Sequence, residues 1–397
     1  MPEKSVTDQR GHRHTLTLGG VEFAIDSHPG IQGIEETLPA IALIAEHASL
    51  HTGERVLVGP CGNGLLGAWA ARTAGADNVL CLDSNAIALE TTRSTLDMNN
   101  LPTVVSRADV TREQDGPFDA YLMLLPKGRD LARLWLLNSA LATREGGDIY
   151  IAGPNSGGIQ SFARDAEILL GKGTLLAYRR SNRVFSFHRP GSLGGALPDP
   201  FERPGTLNGT YHSYTIPRAD RMLTVCTRPG VFSRDGLDEG TQLLLSVLQV
   251  QPDDRILDLG CGSGVIGLVA AIEAPAGQVT LIDVDSVAIE CSRETLRRNG
   301  IEGPAVFHGD GLKAVPGQRY SLIVTNPPFH SGHQVNMAST ASFVRDSYDA
   351  LLPGGRLVMV SNRFLPYDRW LRSRFDHVDV LTSSTRYQVF AASRAHA

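Results

Sequence analysis

Three runs in this 397-residue chain carry residue types able to do chemistry: Asp258-Leu259-Gly260-Cys261-Gly262-Ser263-Gly264, Asp283, and Leu322-Ile323-Val324-Thr325-Asn326-Pro327-Pro328-Phe329-His330. The last starts as a buried apolar strand and stops on two prolines, which lack the N–H a sheet ladder needs. The strand therefore ends at Asn326. An amide side chain, a freed backbone carbonyl and the aromatic face of Phe329 stand together at a strand's carboxyl end, where open α/β sheets hold ligands. The bland alternative is that the prolines only end a strand and Phe329 only packs.

A glycine-rich turn between strand and helix lets a ligand approach the backbone, and an acid closing the next strand suits a ribose diol. Gly264 and Asp283 are 19 residues apart, close to the roughly 20 of that partnership. The glycines alternate and follow an acid, so the run is not GxGxxG and a nicotinamide cofactor is disfavoured. It resembles the cofactor loop of class I S-adenosylmethionine-dependent methyltransferases. Asp310, in His308-Gly309-Asp310-Gly311, can accept from an adenine amino group or simply form a turn. With that cofactor, Asn326 acquires a mechanism. Its side-chain oxygen and the Pro327 carbonyl accept the two N–H bonds of an exocyclic amine on a base. The amine's lone pair then faces the sulfonium methyl while Phe329 stacks on the base. Positioning and electrostatics do the work, and no strong general base is required.

The elements that must position these groups follow from apolar patterning. Strands over Thr15 to Leu18, Val21 to Ile25, Arg55 to Val58, Asn78 to Leu82, Asp119 to Leu124 and Asp148 to Ala152 alternate with helices over about Glu36 to His47, up to Ala74, Asp130 to Thr143 and Gly158 to Leu170. This is the pattern of a doubly wound parallel α/β sheet. It then repeats: Pro29-Gly30, Gly62-Asn63-Gly64 and Asp83 recur as Pro229-Gly230, Gly262-Ser263-Gly264 and Asp283, each 200 positions on. A duplicated domain is expected. The boundaries read as a flexible tail (1–14), a first domain (15–188), a Gly/Pro-rich linker (189–208) and a second domain (209–397). The first copy has Val58 for Asp258 and Pro60 for Gly260, and Leu124-Leu125-Pro126-Lys127 for Asn326-Pro327-Pro328-Phe329. It reads as a copy that kept the fold and lost the reaction.

Composition bounds the rest. A net charge of −5 excludes a general polycation, so any polyanion must meet local patches. Candidates are Arg179-Arg180-Ser181-Asn182-Arg183 with His188 and Arg189, and the group Arg363, Arg369, Arg372 and Arg374. No run reaches the roughly 18–20 apolar residues of a membrane span, and the polar start lacks a signal-peptide apolar region; a cytoplasmic protein is expected. Five cysteines without a close CxxC pair argue against a disulfide framework or zinc site. His12 and His14 have no third ligand nearby, so no metal is expected.

The runs Pro229-Gly230-Val231-Phe232-Ser233-Arg234-Asp235-Gly236-Leu237-Asp238, Asp258 to Gly264 and Asn326 to His330 together resemble the ribosomal RNA guanine-N2 methyltransferases of the RsmC/RlmG type, over essentially the whole chain. That resemblance implies two tandem Rossmann-like class I domains, each a mostly parallel sheet with an antiparallel strand near its end, the first degenerate. It implies S-adenosylmethionine at Asp258, Gly260, Gly262, Gly264, Asp283 and Asp310, with Phe232 and Asp238 in a segment closing over the site. Asn326, Pro327, Pro328 and Phe329 would hold the target guanine. Arg179, Arg180, Arg183, Arg234 and His330 are the candidate RNA contacts. The expected partner is ribosomal RNA or a ribosomal subunit, small rather than large, met by a monomer. Alternatives are methylation of a protein glutamine or adenine N6, and a non-catalytic RNA-binding assembly factor.

Overall fold

The computed structural model describes residues 13–102, 104–108, 115–191, 193, 195–327 and 337–396, with side chains omitted at 337–342. Contacts divide the chain into two units, residues up to 83 with 87–197, and 84–86 with 198 onward.

The first unit opens on a hairpin, β1 (His14–Leu18) and β2 (Val21–Ile25), then α1 (Ile34–His47). It continues β3 (Val56–Val58), α2 (Leu65–Ala74), β4 (Val79–Leu82), α3 (Ala86–Met98), β5 (Val105–Arg107), β6 (Phe118–Leu124), α4 (Arg129–Ala142), β7 (Thr143–Pro154), α5 (Ile159–Leu170), β8 (Thr174–Arg179) and β9 (Asn182–His188). The second repeats this plan with the hairpin β10 (His212–Arg218) and β11 (Arg221–Thr227), then α6 (Glu239–Val247), β12 (Arg255–Leu259), α7 (Val265–Glu273), β13 (Gln278–Asp283), α8 (Ser286–Arg298) and β14 (Ala305–His308). It closes with β15 (Tyr320–Thr325), α9 (Met337–Ala350), β16 (Leu351–Asn362), α10 (Tyr367–Arg372), β17 (His377–Ser383) and β18 (Tyr387–Ser393).

The two seven-stranded sheets have the same order, β5-β4-β3-β6-β7-β9-β8 and β14-β13-β12-β15-β16-β18-β17. Five strands pair in parallel, and β9 or β18, second from the edge, runs antiparallel to both of its neighbours. This is the doubly wound, duplicated fold expected from the sequence. Helices on both faces make the central strands apolar throughout: Ile256 to Leu259 and Leu322 to Thr325 are all buried.

The duplication extends to individual hydrogen bonds. Asn99 Oδ1 accepts from Ala24 N at 3.1 Å, and its Nδ2 donates to the Ala24 and Thr95 carbonyls. Asn299 does the same with Thr224 and Thr295, tying the entry hairpin to the third helix of its unit. All five cysteines are buried, as expected of small core residues. The end of the Gly/Pro-rich stretch is packed: Phe201 and Thr206 are buried, and the buried Arg228 donates to the Gly205 carbonyl and Asn208 Oδ1 and pairs with Glu290 at 2.6 Å.

Close helix-to-sheet approach depends on glycine. A Cβ at Gly267 would lie 2.6 Å from Leu281 Cδ2, and one at the equivalent Gly67 would lie 2.4 Å from Cys81 Sγ. Overpacking of a filled core costs about 1–3 kcal/mol. Gly267→Ala is therefore expected to lower the thermal midpoint of the second unit's transition, measured by calorimetry, despite alanine's higher helix propensity.

Candidate active site

The turn after β12 is a backbone cradle. Gly260, Gly262 and Gly264 have φ of +75°, +54° and +78°, the left-handed region that favours glycine. Among the described residues a Cβ on Gly260 or Gly262 would meet nothing within 4 Å, so these two faces are open to them, whereas one on Gly264 would lie 3.0 Å from Ser292 Cα. Gly264 is thus required for packing of α7 on α8. Gly260 and Gly262 keep a surface bare.

Asp258, at the end of β12, is fully buried. Its Oδ2 accepts the Gly267 N–H at 2.8 Å, satisfying one of the free N–H groups of the first turn of α7, where negative charge is favoured. Its Oδ1 has no hydrogen-bond partner among the described residues. Burial, with Asp283 nearby, pushes its pKa up to about 7 against the pull of the Gly267 N–H. Asp283, closing β13, accepts Gly262 N–H on Oδ2 at 2.8 Å and Asp285 N–H on Oδ1 at 2.9 Å. Burial raises its pKa to about 6, opposed by those two N–H groups.

Asn326 sits at the carboxyl end of β15, next to β12 in the sheet. Its Nδ2 donates to Thr241 Oγ1 at 2.8 Å and lies 3.4 Å from Asp238 Oδ1. Asp238 caps α6 by accepting the Thr241 N–H at 3.0 Å, and takes a second bond from Ser233 Oγ at 3.1 Å. The amide is held by its nitrogen; turning it over would bring its oxygen to a carboxylate. Its Oδ1 is buried without a hydrogen-bond partner among the described residues. An unpaired buried acceptor costs stability, and its best complement is an N–H donor.

Asp238, which the resemblance puts in the segment closing over the cofactor site, has contacts with Ser233, Thr241 and Asn326. Thr241 was not singled out, although Asp238-Glu239-Gly240-Thr241 is legible as a helix start. Asp310 stands beyond β14, next to the end of β13, and takes a bond from Lys313 Nζ at 2.5 Å. Phe232 is 62% exposed. Arg234 donates to the Pro204 carbonyl. Pro327 is described and buried; Pro328, Phe329 and His330 lie outside the described residues. In the first unit Arg179 pairs with Glu46 at 2.7 Å, Arg183 stacks 4.3 Å over Tyr178, and Arg180 occupies the exposed β8–β9 turn.

The first unit is an internal control. Gly62 N–H is held by Asp83 at 2.9 Å, as Gly262 is by Asp283. Sheet register aligns Leu124 with Asn326, since Val56 pairs with Ala120 as Ile256 pairs with Leu322. At the end of β3 the packing differs: a Cβ on Gly59 would lie 2.8 Å from the buried Trp135 ring, where the second unit has the buried Leu259, and Tyr121 Oη donates to the Gly59 carbonyl at 2.8 Å. The second unit differs in carrying Gly260 for Pro60 and Asp258 for Val58, and in the Asp258 and Asn326 Oδ1 atoms, which have no hydrogen-bond partner among the described residues.

The family model for the methyltransferase small domain matches residues 22–130 and again 222–391. Ribosomal RNA small subunit methyltransferase C of Pseudomonas entomophila is 35% identical over 277 residues, 70% of this chain and 80% of its own length. That of Salmonella choleraesuis is 36% identical over 272 residues, 68% and 75% of the two lengths. The solved structure of the T. thermophilus 16S rRNA N2 G1207 methyltransferase in complex with AdoMet and guanosine aligns with a TM-score of 0.76 and 25% identity, over 97% of this chain and 99% of that one. The chain belongs to the methyltransferase small domain family, and within it to the small-subunit ribosomal RNA methyltransferase C group.

Proposed function

We propose that this protein transfers a methyl group from S-adenosylmethionine to the exocyclic N2 of one guanine in small-subunit ribosomal RNA, acting as a cytoplasmic monomer. The observation that carries this reading is Asn326 Oδ1, a buried acceptor at a strand end without a hydrogen-bond partner among the described residues, its amide clamped through Nδ2. It accepts one N–H of the guanine amine, the Pro327 carbonyl takes the other, and the lone pair is aimed by geometry alone. The guanine is presented unpaired or flipped, since inside a helix its amine is out of reach. The first unit, with Leu124 for Asn326 and Val58 for Asp258, keeps the fold and helps to hold RNA or the naked subunit.

The second unit's own groups suit the cofactor: glycine faces at Gly260 and Gly262 and an Asp258 oxygen, all without a neighbour or partner among the described residues, and Asp283 at the next strand end. When bound, S-adenosylmethionine supplies an electrophilic methyl on a positively charged sulfur. Asp258 and Asp283 favour that positive ligand in their ionised form, and burial holds their pKa values at about 7 and about 6. Cofactor affinity is therefore expected to rise between about pH 5.5 and about pH 8. Because both pKa values lie above the unfolded carboxyl value, the stability that these protons lend the free protein is full below that value. It is lost as pH rises through about 6 to about 7. Calorimetric titrations and melting scans across this range check both signs.

Mass mapping of ribosomal RNA from cells with and without the protein tests the reaction. The expected result is loss of one N2-methylguanosine in the small-subunit RNA. Loss of an N6-methyladenosine, or of a methyl on a ribosomal-protein glutamine, with guanosines unchanged would replace this reading.

A further inference from the structure

Phe364 is 85% exposed, the highest value among the large apolar residues described. Isolated exposed apolar side chains are ordinary, so exposure alone decides nothing. Its position does. Asn362 ends β16, the parallel neighbour of β15, and its Oδ1 accepts the Phe364 N–H at 3.1 Å, fixing a tight turn there. Arg363 N–H donates to the Arg386 carbonyl at 2.9 Å, which brings the β17–β18 turn alongside. Arg386 faces Glu239 at 3.7 Å, and the Tyr387 ring lies 3.4 Å from where a Cβ on Gly240 would stand. Glu239 and Gly240 lie between Asp238 and Thr241, the two residues that hold Asn326. The corner carrying Phe364 thus joins the helix start that positions the reactive amide.

The first unit again serves as control. The same backbone bond runs from Asn155 N–H to the Ser181 carbonyl at 2.8 Å, so Asn155-Ser156 and Ser181-Asn182 stand where the second unit has Arg363-Phe364 and Arg386-Tyr387. At these aligned positions the copy without the amide has neither the aromatic nor the two arginines; Arg183 instead reaches Asn155 Oδ1 from the neighbouring strand at 2.9 Å. A purely structural turn gives no reason for the two losses to coincide.

We propose that Phe364, flanked by Arg363 and Arg386, is a stacking platform for an unpaired nucleobase adjacent to the target guanine. Every base offers a π face, so an exposed ring binds single strands with little sequence preference, and the two guanidinium groups meet the backbone phosphates. A base held here keeps the target strand splayed open beside Asn326. The inference rests on the RNA-methylating function proposed above.

The test compares wild type, Phe364→Ala and Phe364→Tyr in steady-state methylation of small-subunit ribosomal RNA, with cofactor affinity and melting temperature as controls. Phe364→Ala is expected to raise KM for RNA about tenfold, the scale of one lost stacking contact. Its kcat, cofactor affinity and melting temperature stay unchanged, and Phe364→Tyr restores KM. A KM for Phe364→Ala within about twofold of wild type would overturn the platform while leaving the reaction intact. Absence of methyl transfer to RNA by the wild-type protein would overturn the proposed function and the platform with it.

Discussion

Asn326→Ala is expected to leave S-adenosylmethionine binding within about twofold of wild type and to slow methyl transfer by about 2 kcal/mol or more, roughly thirtyfold, the scale of losing one preorganised polar contact to a reacting group. The separation follows from what each atom touches. Asn326 Nδ2 is bound to Thr241 Oγ1, and Oδ1 has no partner among the described residues. Alanine removes the acceptor that aims the amine and leaves the glycine turn and both acids in place. Thr241→Val is expected to give a smaller loss of about tenfold in kcat, one hydrogen bond's worth, because the amide then loses its clamp and can swing. Thr241→Ser should recover it. Single-turnover rates with calorimetric cofactor titrations separate binding from chemistry.

Asp258→Asn and Asp283→Asn are expected to differ, although both acids end adjacent strands. Asp258 Oδ1 has no described partner and its charge is held at the cost of burial. Asparagine there should weaken cofactor binding about tenfold or more, since hydrogen bonds to charged groups contribute about 1.5–3 kcal/mol. The free protein at about pH 8 is expected to melt no lower, because a buried charge is removed. Asp283 also holds the Gly262 and Asp285 N–H groups, so its replacement should lower both affinity and melting temperature. The first unit supports the distinction: it keeps Asp83 on Gly62 N–H but has Val58 where Asp258 stands. The acid that builds the turn persists in both copies. Calorimetry and melting scans on the two variants read this directly.

The duplication was legible because it is written in spacing. Pro29, Gly62 and Asp83 recur 200 residues later, and sheet order and register follow the same offset into hydrogen bonds such as those of Asn99 and Asn299. The alternation of apolar strands and helices fixed the fold class for the same reason, since strands covered on both faces must be apolar. Long-range partnerships were hidden. Thr241 could be read as part of a helix start, but only the packing of α6 beside the end of β15 brings its hydroxyl to Asn326, 85 residues away. Trp135 is a buried residue of α4, and its contact with Gly59 depends on how α4 crosses the sheet, which apolar spacing does not give. Phe364 gave no sequence signal at all, because its meaning lies in exposure and in the equivalence of two turns.

The most direct test is methylation of small ribosomal subunits, or of their RNA, by wild-type protein and Asn326→Ala with methyl-labelled S-adenosylmethionine, followed by complete nuclease and protease digestion and mass spectrometry. The expected result is label in N2-methylguanosine alone with wild type, and label reduced at least about thirtyfold with the variant while its cofactor affinity is retained. Label in methyladenosine or in a peptide, or equal label in the two proteins, would contradict it.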